Sequence, residues 1–462
     1  MVARRGTAAL RQMMAHPSPT SAIDAGATID RGVCGPYQVL LVFLTALTII
    51  FDGVDNQLLG IVIPSVMRDW SVPRSAFAPV VALGFLGMMI GGLVAGLAGD
   101  RFGRKVALFG SMVLFGAATV MMTAVNGIAA LAALRLIAGI GLGGAMPNAA
   151  ALVAEYVPIQ QRALAVTMTI VCVPLGGTLA GLLAIPTLPA VGWRGLFVIG
   201  GVIPLVASAV LWRLMPESPR FLARHPERWG ELRHVLGRMG HAVDHAMEFV
   251  APAVGERRRV PFSALFTSAL RADTLALWTA FFACLLCVYM GFSWLPSVLT
   301  GAGLGTSTAN TSITLFNLGG VAGAIFGGLT IRRLGSRATM LTMAAAGIAG
   351  LIVLSRTAID GSTVVRILVL LTFCGAMINA VQTTMYALAA HVYPTEIRAT
   401  GVGTAVSIGR SGAILSGYAG PWALEFRGSA SFFAVMAIAL SVAFIALAVV
   451  RRHVTLQSVR AQ

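Results

Sequence analysis

Gly99-Asp100-Arg101-Phe102-Gly103-Arg104-Lys105 stands between two apolar runs, residues 76–98 and 106–125. Each run is long enough for a helix to cross the ~30 Å hydrocarbon layer of a bilayer. The stretch between them packs three cations, one acid and two glycines into seven residues. Two spans joined by so short a polar turn read as a helical hairpin, with its basic turn held at one membrane face.

The same alternation continues outward in both directions. Twelve apolar segments are legible, at approximately 37–63, 76–98, 106–125, 129–154, 164–188, 195–214, 274–299, 308–330, 338–356, 363–390, 399–423 and 429–450. A long polar stretch, 215–273, separates the sixth from the seventh. Only 11% of the 462 residues are charged and 57% are hydrophobic, whereas a soluble domain carries about a quarter charged residues. The mean hydropathy of +0.85 agrees. The expected fold is an all-α integral membrane protein of twelve transmembrane helices in two pseudo-symmetric six-helix halves. These halves are 37–214 and 274–450, with a tail at 1–36, a connector at 215–273 and a second tail at 451–462. An echo of the first hairpin turn supports the repeat: Arg332-Arg333-Leu334-Gly335-Ser336-Arg337 places Gly335 232 residues after Gly103.

Lys and Arg are distributed 25 to 6 between the two sets of loops. The excess predicts that both termini and the connector face the cytoplasm. The formal charge of +16 comes from these loops, so nucleic acid is not an expected partner; the lipid bilayer is. No apolar core precedes Tyr37, and the first run reads as a span rather than a cleavable leader. Four of the five cysteines (Cys34, Cys172, Cys284, Cys287, Cys374) fall in apolar segments and read as small buried hydrophobes, not as disulfides or metal ligands. In the connector, Glu227 to Leu236 has helical periodicity and is expected to lie on the membrane surface. Pro261 to Phe266 reads as an interfacial lead into the seventh span. His241 and His245 are four apart but lack carboxylate or thiol company, so no metal site is expected there.

Several motifs resemble a known family. The turn at Gly99–Lys105 looks like the signature loop of the major facilitator superfamily, and the fourth span adds Arg135, Gly139, Gly141, Gly143, Gly144 and Pro147, small residues that permit close helix approach. Glu155 ends that span on the side of Asp100 and Arg101, where a charge cluster is expected. Phe51-Asp52-Gly53-Val54-Asp55-Asn56-Gln57 resembles the Asp-Gly-x-Asp motif of the aromatic acid:proton symporter family. The likeness continues through Trp294-Leu295-Pro296, Phe316-Asn317-Leu318-Gly319-Gly320, Tyr393 to Gly403 and Ile408 to Ile414. The resemblance implies two halves moving by alternating access in the cell inner membrane, importing a small aromatic carboxylate with protons. It implies no enzyme activity, no cofactor beyond the coupling proton, and a functional monomer. Conformational roles fall to Gly99, Asp100, Arg101, Gly103, Arg104, Glu155, Arg332, Arg333, Glu396 and Arg398. Such proteins usually carry an acid where Arg332 stands, which implies an asymmetric latch held more by the first half.

Ionisable groups inside spans are expected to mark the site, because an unpaired charge at bilayer depth costs about 2.5–3.5 kcal/mol or more. Asp52 and Asp55 are three residues apart and project about 60° apart on one helix face. Arg135, in the fourth span, is within reach of an ion pair with Asp55. Arg410, about 16 Å along its span, is placed to take a substrate carboxylate through both guanidinium nitrogens, with Asp52 as a competing partner. Either aspartate is a candidate proton carrier. Tyr289, Trp294, Phe316 and Tyr386, with Phe51 and Phe292, are candidate walls for an aromatic ring. Asn148, Asn317, Asn379 and Gln382 are candidate partners for ring hydroxyls.

Two other classes compete. Pro216-Glu217-Ser218-Pro219-Arg220-Phe221-Leu222 resembles a sugar-porter segment, and a membrane receptor or sensor would bind without accumulating its ligand. The paired acids and Arg410 suit an anion better than a neutral sugar. Pro174-Leu175-Gly176-Gly177 is an imperfect match to the drug-antiporter motif.

Overall fold

A computed structural model describes residues 23–241, 248–249, 262–394 and 397–454, with Arg332 and Ala399 described by their backbone alone. Among the described residues, ten helical stretches are long and apolar enough to cross a membrane. Two of them are too long for one crossing. Ile159–Leu214 has 56 residues, which at 1.5 Å per residue is about 84 Å. It reverses at Gly192, where φ is +68°. The stretch through the last two segments likewise breaks at Arg427-Gly428, with Gly428 at φ +63°. Counting both sides of each break gives the twelve spans expected.

The first four spans are Pro36–Trp70, Ala78–Phe102, Arg104–Met121 and Ile128–Tyr156. The fifth and sixth flank Gly192, and the seventh is Arg271–Gly301. Thr306–Arg356 holds the eighth and ninth, divided at Gly335 with φ +78°. Val364–Val392 is the tenth, and Arg398–Val449 holds the last two. The pairing repeats between halves: the first span packs on the fifth and the second on the fourth, as the seventh packs on the eleventh and the eighth on the tenth. Apolar side chains such as Phe43, Leu97, Ile438 and Ile445 stand exposed along the spans, as a lipid-facing surface requires.

Spans begin alternately at the end bearing the connector and at the opposite, distal end. The halves meet toward the distal end. Gln57 of the first span donates to the Phe292 carbonyl of the seventh at 2.6 Å, and Asn317 of the eighth donates to Gln57 at 3.2 Å. Nearer the distal surface, Arg74 donates to the Ser297 carbonyl at 3.1 Å. The fifth and eighth spans also cross closely, because Gly177 and Gly181 leave room for Asn317 and Thr314; a Cβ at Gly181 would overlap the Thr314 hydroxyl.

The connector packs onto the first half. Trp229–Arg238 is helical, as its periodicity predicts, but Leu232, Val235 and Leu236 are buried by protein rather than turned to a membrane surface. Arg238 sits over the Tyr37 ring at 3.9 Å. A short helix before the first span, Ala25–Arg31, clips the arrangement: Asp30 pairs with Arg162 of the fifth span and, at 3.1 Å, with Arg220 of the connector. Phe262–Phe266 forms a turn whose rings cluster with Trp278.

Candidate functional site

Asp52 and Asp55 project from neighbouring positions on the first span but meet different partners. Asp55 turns into the first half, fully buried, where it accepts a hydrogen bond from the Thr119 hydroxyl and an ion pair from Arg135 at 3.1 Å. Arg135 also reaches the backbone carbonyls of Asp55 and Asn56 at 3.5 and 3.4 Å. A buried guanidinium needs several acceptors to offset its lost hydration, and here they are supplied.

Asp52, about 60° round the helix from Asp55, turns into a central cavity that is partly open to solvent. It is 3% exposed, and its Oδ1 has no hydrogen-bond partner. Asn56, one turn along, lines the same cavity with Arg410 of the eleventh span. Among the described residues Arg410 makes no hydrogen bond or ion pair. Both halves contribute walls: Met88, Leu142 and Pro174 from the first, Tyr289, Phe292 and Tyr386 from the second. Tyr289 packs at a tilt against Phe85 at 4.5 Å and meets Phe292 edge-on at 5.8 Å. The cavity extends from Asn56 and Phe292 toward Val406, so it lies on the connector side of the Gln57–Phe292 closure.

Of the residues singled out in the sequence, Asp52, Arg410, Tyr289, Gln382 and Tyr386 come together at this cavity, joined by Phe292 and Asn379. Others stand apart. Asn148 donates to the Ala95 and Gly144 carbonyls, binding the fourth span to the second. Trp294 is fully buried and donates to the Ser416 carbonyl at 3.0 Å. Phe316 packs behind Phe292 at 6.0 Å, and Asn317 belongs to the contact between halves. Phe51 is half-buried outside the cavity lining.

At the connector end Asp100 pairs with Arg104, four residues on. The expected cluster of Glu155 with Asp100 and Arg101 takes another form: Glu155 accepts from the Ser218 hydroxyl, while Arg101 lies over Phe102 at 5.3 Å. The group that holds this loop is Glu217. It is 1% exposed and accepts from the Lys105 backbone N–H at 3.0 Å and from Ser218 at 2.8 Å. A carboxylate facing the first N–H groups of the third span suits the helix dipole. Gly99 packs against the Asn148 amide. Gly103 is indispensable here, with φ +106° and no room for a Cβ beside the Glu217 carboxyl. Burial pushes the Glu217 carboxyl above its ordinary value, and the two backbone N–H donors oppose that rise.

The second half repeats this device with other residues. Ser336 follows the Gly335 turn and exchanges hydrogen bonds with Val454 of the C-terminal tail at 3.1 and 2.9 Å. Its hydroxyl meets His453 Nδ1 at 3.1 Å, and Arg451 N–H donates to Asp273 at 2.7 Å. Arg333 is exposed and Arg398 donates to the Tyr393 carbonyl. Glu396 and the Arg332 side chain lie outside the described residues, as does His245. Glu217 and Gln57 fall within the stretches 216–222 and 51–57, yet only their contacts assign them work. Nothing in the sequence singles out Thr119 or Asp273.

Twelve spans in two similarly paired halves around a central charged cavity define a membrane transporter fold. The sequence profile of the Major Facilitator Superfamily matches residues 45–417 and 302–461. Among curated proteins, the gallate transporter of Pseudomonas putida is 35% identical over 408 residues, covering 88% of this chain and 90% of that protein. A 4-hydroxybenzoate transporter, PcaK, of Acinetobacter baylyi is 34% identical over 411 residues, covering 88% and 89%. Among solved structures, a D-xylose-proton symporter superposes with TM-score 0.71 at 17% identity, covering 89% of this chain and 97% of that one; this likeness concerns the fold. The chain belongs to the major facilitator superfamily and, within it, to the aromatic acid:proton symporter family.

Proposed function

We propose that this transporter imports a small, hydroxybenzoate-like aromatic carboxylate together with protons, by alternating access across the cell inner membrane, with both termini and the connector in the cytoplasm. The observation that carries the reading is Arg410, a guanidinium in the cavity that makes no ion pair among the described residues. Arg135, by contrast, is already matched by Asp55. A carboxylate entering the cavity therefore finds one free, bidentate cation. Tyr289, Phe292 and Tyr386 offer ring faces and edges to an aromatic body. The gallate and 4-hydroxybenzoate transporters among the relatives support this substrate class.

Asp52 carries the coupling proton in this reading. An anion entering a negative-inside cell works against about 2.3 kcal/mol per charge per 100 mV, and one accompanying proton cancels that cost. Asp52 shares the cavity with Arg410, and its unpartnered oxygen is available to a proton. Asp55 serves instead as the fixed counter-ion of Arg135. The Gln57 and Arg74 contacts hold the distal side shut while the cavity is reached from the connector side.

The test is uptake of labelled 4-hydroxybenzoate and gallate into proteoliposomes, with and without an imposed inward proton gradient. Gradient-dependent accumulation is expected. Binding without accumulation would favour a receptor, and accumulation of a hexose with an inert acid panel would favour a sugar porter.

A further inference from the structure

Four amide side chains have the chemistry to recognise a ring hydroxyl, and the structure leaves one of them free to do so. Asn148 spends its amide nitrogen on the Ala95 and Gly144 carbonyls, and its oxygen faces Arg104 at 3.5 Å. Asn317 donates to Gln57 and to the Ile313 carbonyl. Neither lines the central cavity. Asn379 does line it, but it is 3% exposed and donates to the Gly375 carbonyl at 2.9 Å. Gln382 also lines the cavity, is half-buried, and makes no hydrogen bond among the described residues.

Of the other neutral polar side chains lining the cavity, Thr383 is occupied, while the Tyr386 hydroxyl makes no hydrogen bond among the described residues. The Thr383 hydroxyl donates back to the Asn379 carbonyl at 2.9 Å. Gln382 thus shares the cavity wall with Arg410 and carries a primary amide that is unengaged among the described residues. A primary amide both donates and accepts, which is what a phenolic hydroxyl requires. Held by its carboxylate on Arg410, a bare benzoate leaves that amide to water, whereas a hydroxybenzoate engages it.

We propose that Gln382 is the specificity-determining residue that makes the carrier prefer hydroxylated over unsubstituted benzoates. The assignment rests on the aromatic-carboxylate reading above and adds the reason for a preference within that class. The amide faces a cavity that admits water, so the discrimination is modest, about three- to tenfold, the range of one net hydrogen bond.

The experiment measures inhibition constants of benzoate and of 2-, 3- and 4-hydroxybenzoate against a labelled substrate, in reconstituted wild type, Gln382→Met and Gln382→Leu. Two apolar variants of different shape guard against a packing defect in either. The expected result is that at least one hydroxybenzoate binds several-fold tighter than benzoate in wild type. Both variants should lose that ratio while keeping wild-type affinity for benzoate. A hydroxyl preference unchanged in both variants overturns the Gln382 assignment and leaves the substrate class standing. Equal affinity for all four acids in wild type also overturns it. If wild type binds none of the four, the aromatic-carboxylate reading falls and this inference falls with it. Loss of benzoate binding in both variants overturns the hydroxyl-specific role in favour of a general part in shaping the site.

Discussion

The Gln57 side-chain amide donates to the Phe292 carbonyl oxygen over 2.6 Å, joining the first span to the seventh one residue from Asn56 on the cavity wall. Whatever shifts Phe292 against a substrate ring also bears on this bond. Gln57→Leu should therefore loosen the distal closure. A net loss of about 1 kcal/mol shifts the balance toward the distal-open form roughly fivefold. A cysteine placed at Ser293, just behind the closure, should then react faster with an impermeant maleimide added on the distal side. An unchanged rate would mean that the bond is incidental to closure.

Asp55 and Arg135 form a buried pair whose halves cannot be removed singly without cost. Asp55→Leu leaves a charged guanidinium buried without its counter-ion, a loss of about 3–5 kcal/mol. The double substitution Asp55→Leu with Arg135→Met should recover most of it. Melting of the detergent-solubilised proteins checks this. A single variant as stable as wild type would contradict the structural role given to Asp55.

Asp52→Asn should separate binding from coupling. The variant is expected to exchange substrate across the membrane but to gain nothing from a proton gradient. One pH unit is worth about 1.4 kcal/mol per proton, a tenfold accumulation, and this is the quantity that should vanish. Full gradient-driven uptake in Asp52→Asn would move the proton elsewhere.

Arg410→Lys keeps the charge and discards the two-pronged geometry. Substrate affinity should fall about tenfold or more, in line with the greater strength of paired, charge-assisted hydrogen bonds. Equilibrium binding of the acid, measured beside uptake, distinguishes a lost anchor from a stalled cycle. Wild-type affinity would remove Arg410 from the site.

Glu217 gives a dependence on pH at the connector end. Its buried carboxyl sits above the ordinary value of 4.5, so folding favours its protonated form. The contribution is complete below that ordinary value and declines as pH rises through the raised value of the folded state. The melting temperature of wild type minus that of Glu217→Gln should accordingly be largest near pH 4 and shrink at higher pH. A difference that grows with pH would reverse the sign and refute the assignment.

Much of this architecture is legible in the sequence, because crossing a bilayer imposes a length and an apolarity that few other constraints do. The twelve segments, the basic turn at Gly99–Lys105 and the intramembrane Asp52, Asp55, Arg135 and Arg410 all stand out on that ground alone. What sequence could not supply is direction. Asp52 and Asp55 look alike in a string of letters, yet one faces the cavity and the other Arg135. Asn148 and Gln382 are both amides inside apolar spans, and only the packing of the fourth span on the second shows that Asn148 is spent on Ala95 and Gly144. Glu217 is harder still, since its partner is a backbone N–H, and backbone leaves no mark on residue type. The apolar stripe of Trp229–Arg238 was readable as a stripe, but a stripe alone does not say whether lipid or protein covers it.

Gly181 presses a bare stretch of backbone against Thr314 where the fifth span crosses the eighth. The notch seats a side chain of one half in the backbone of the other, so the two spans keep a fixed register there, and a single methyl group would wedge them apart.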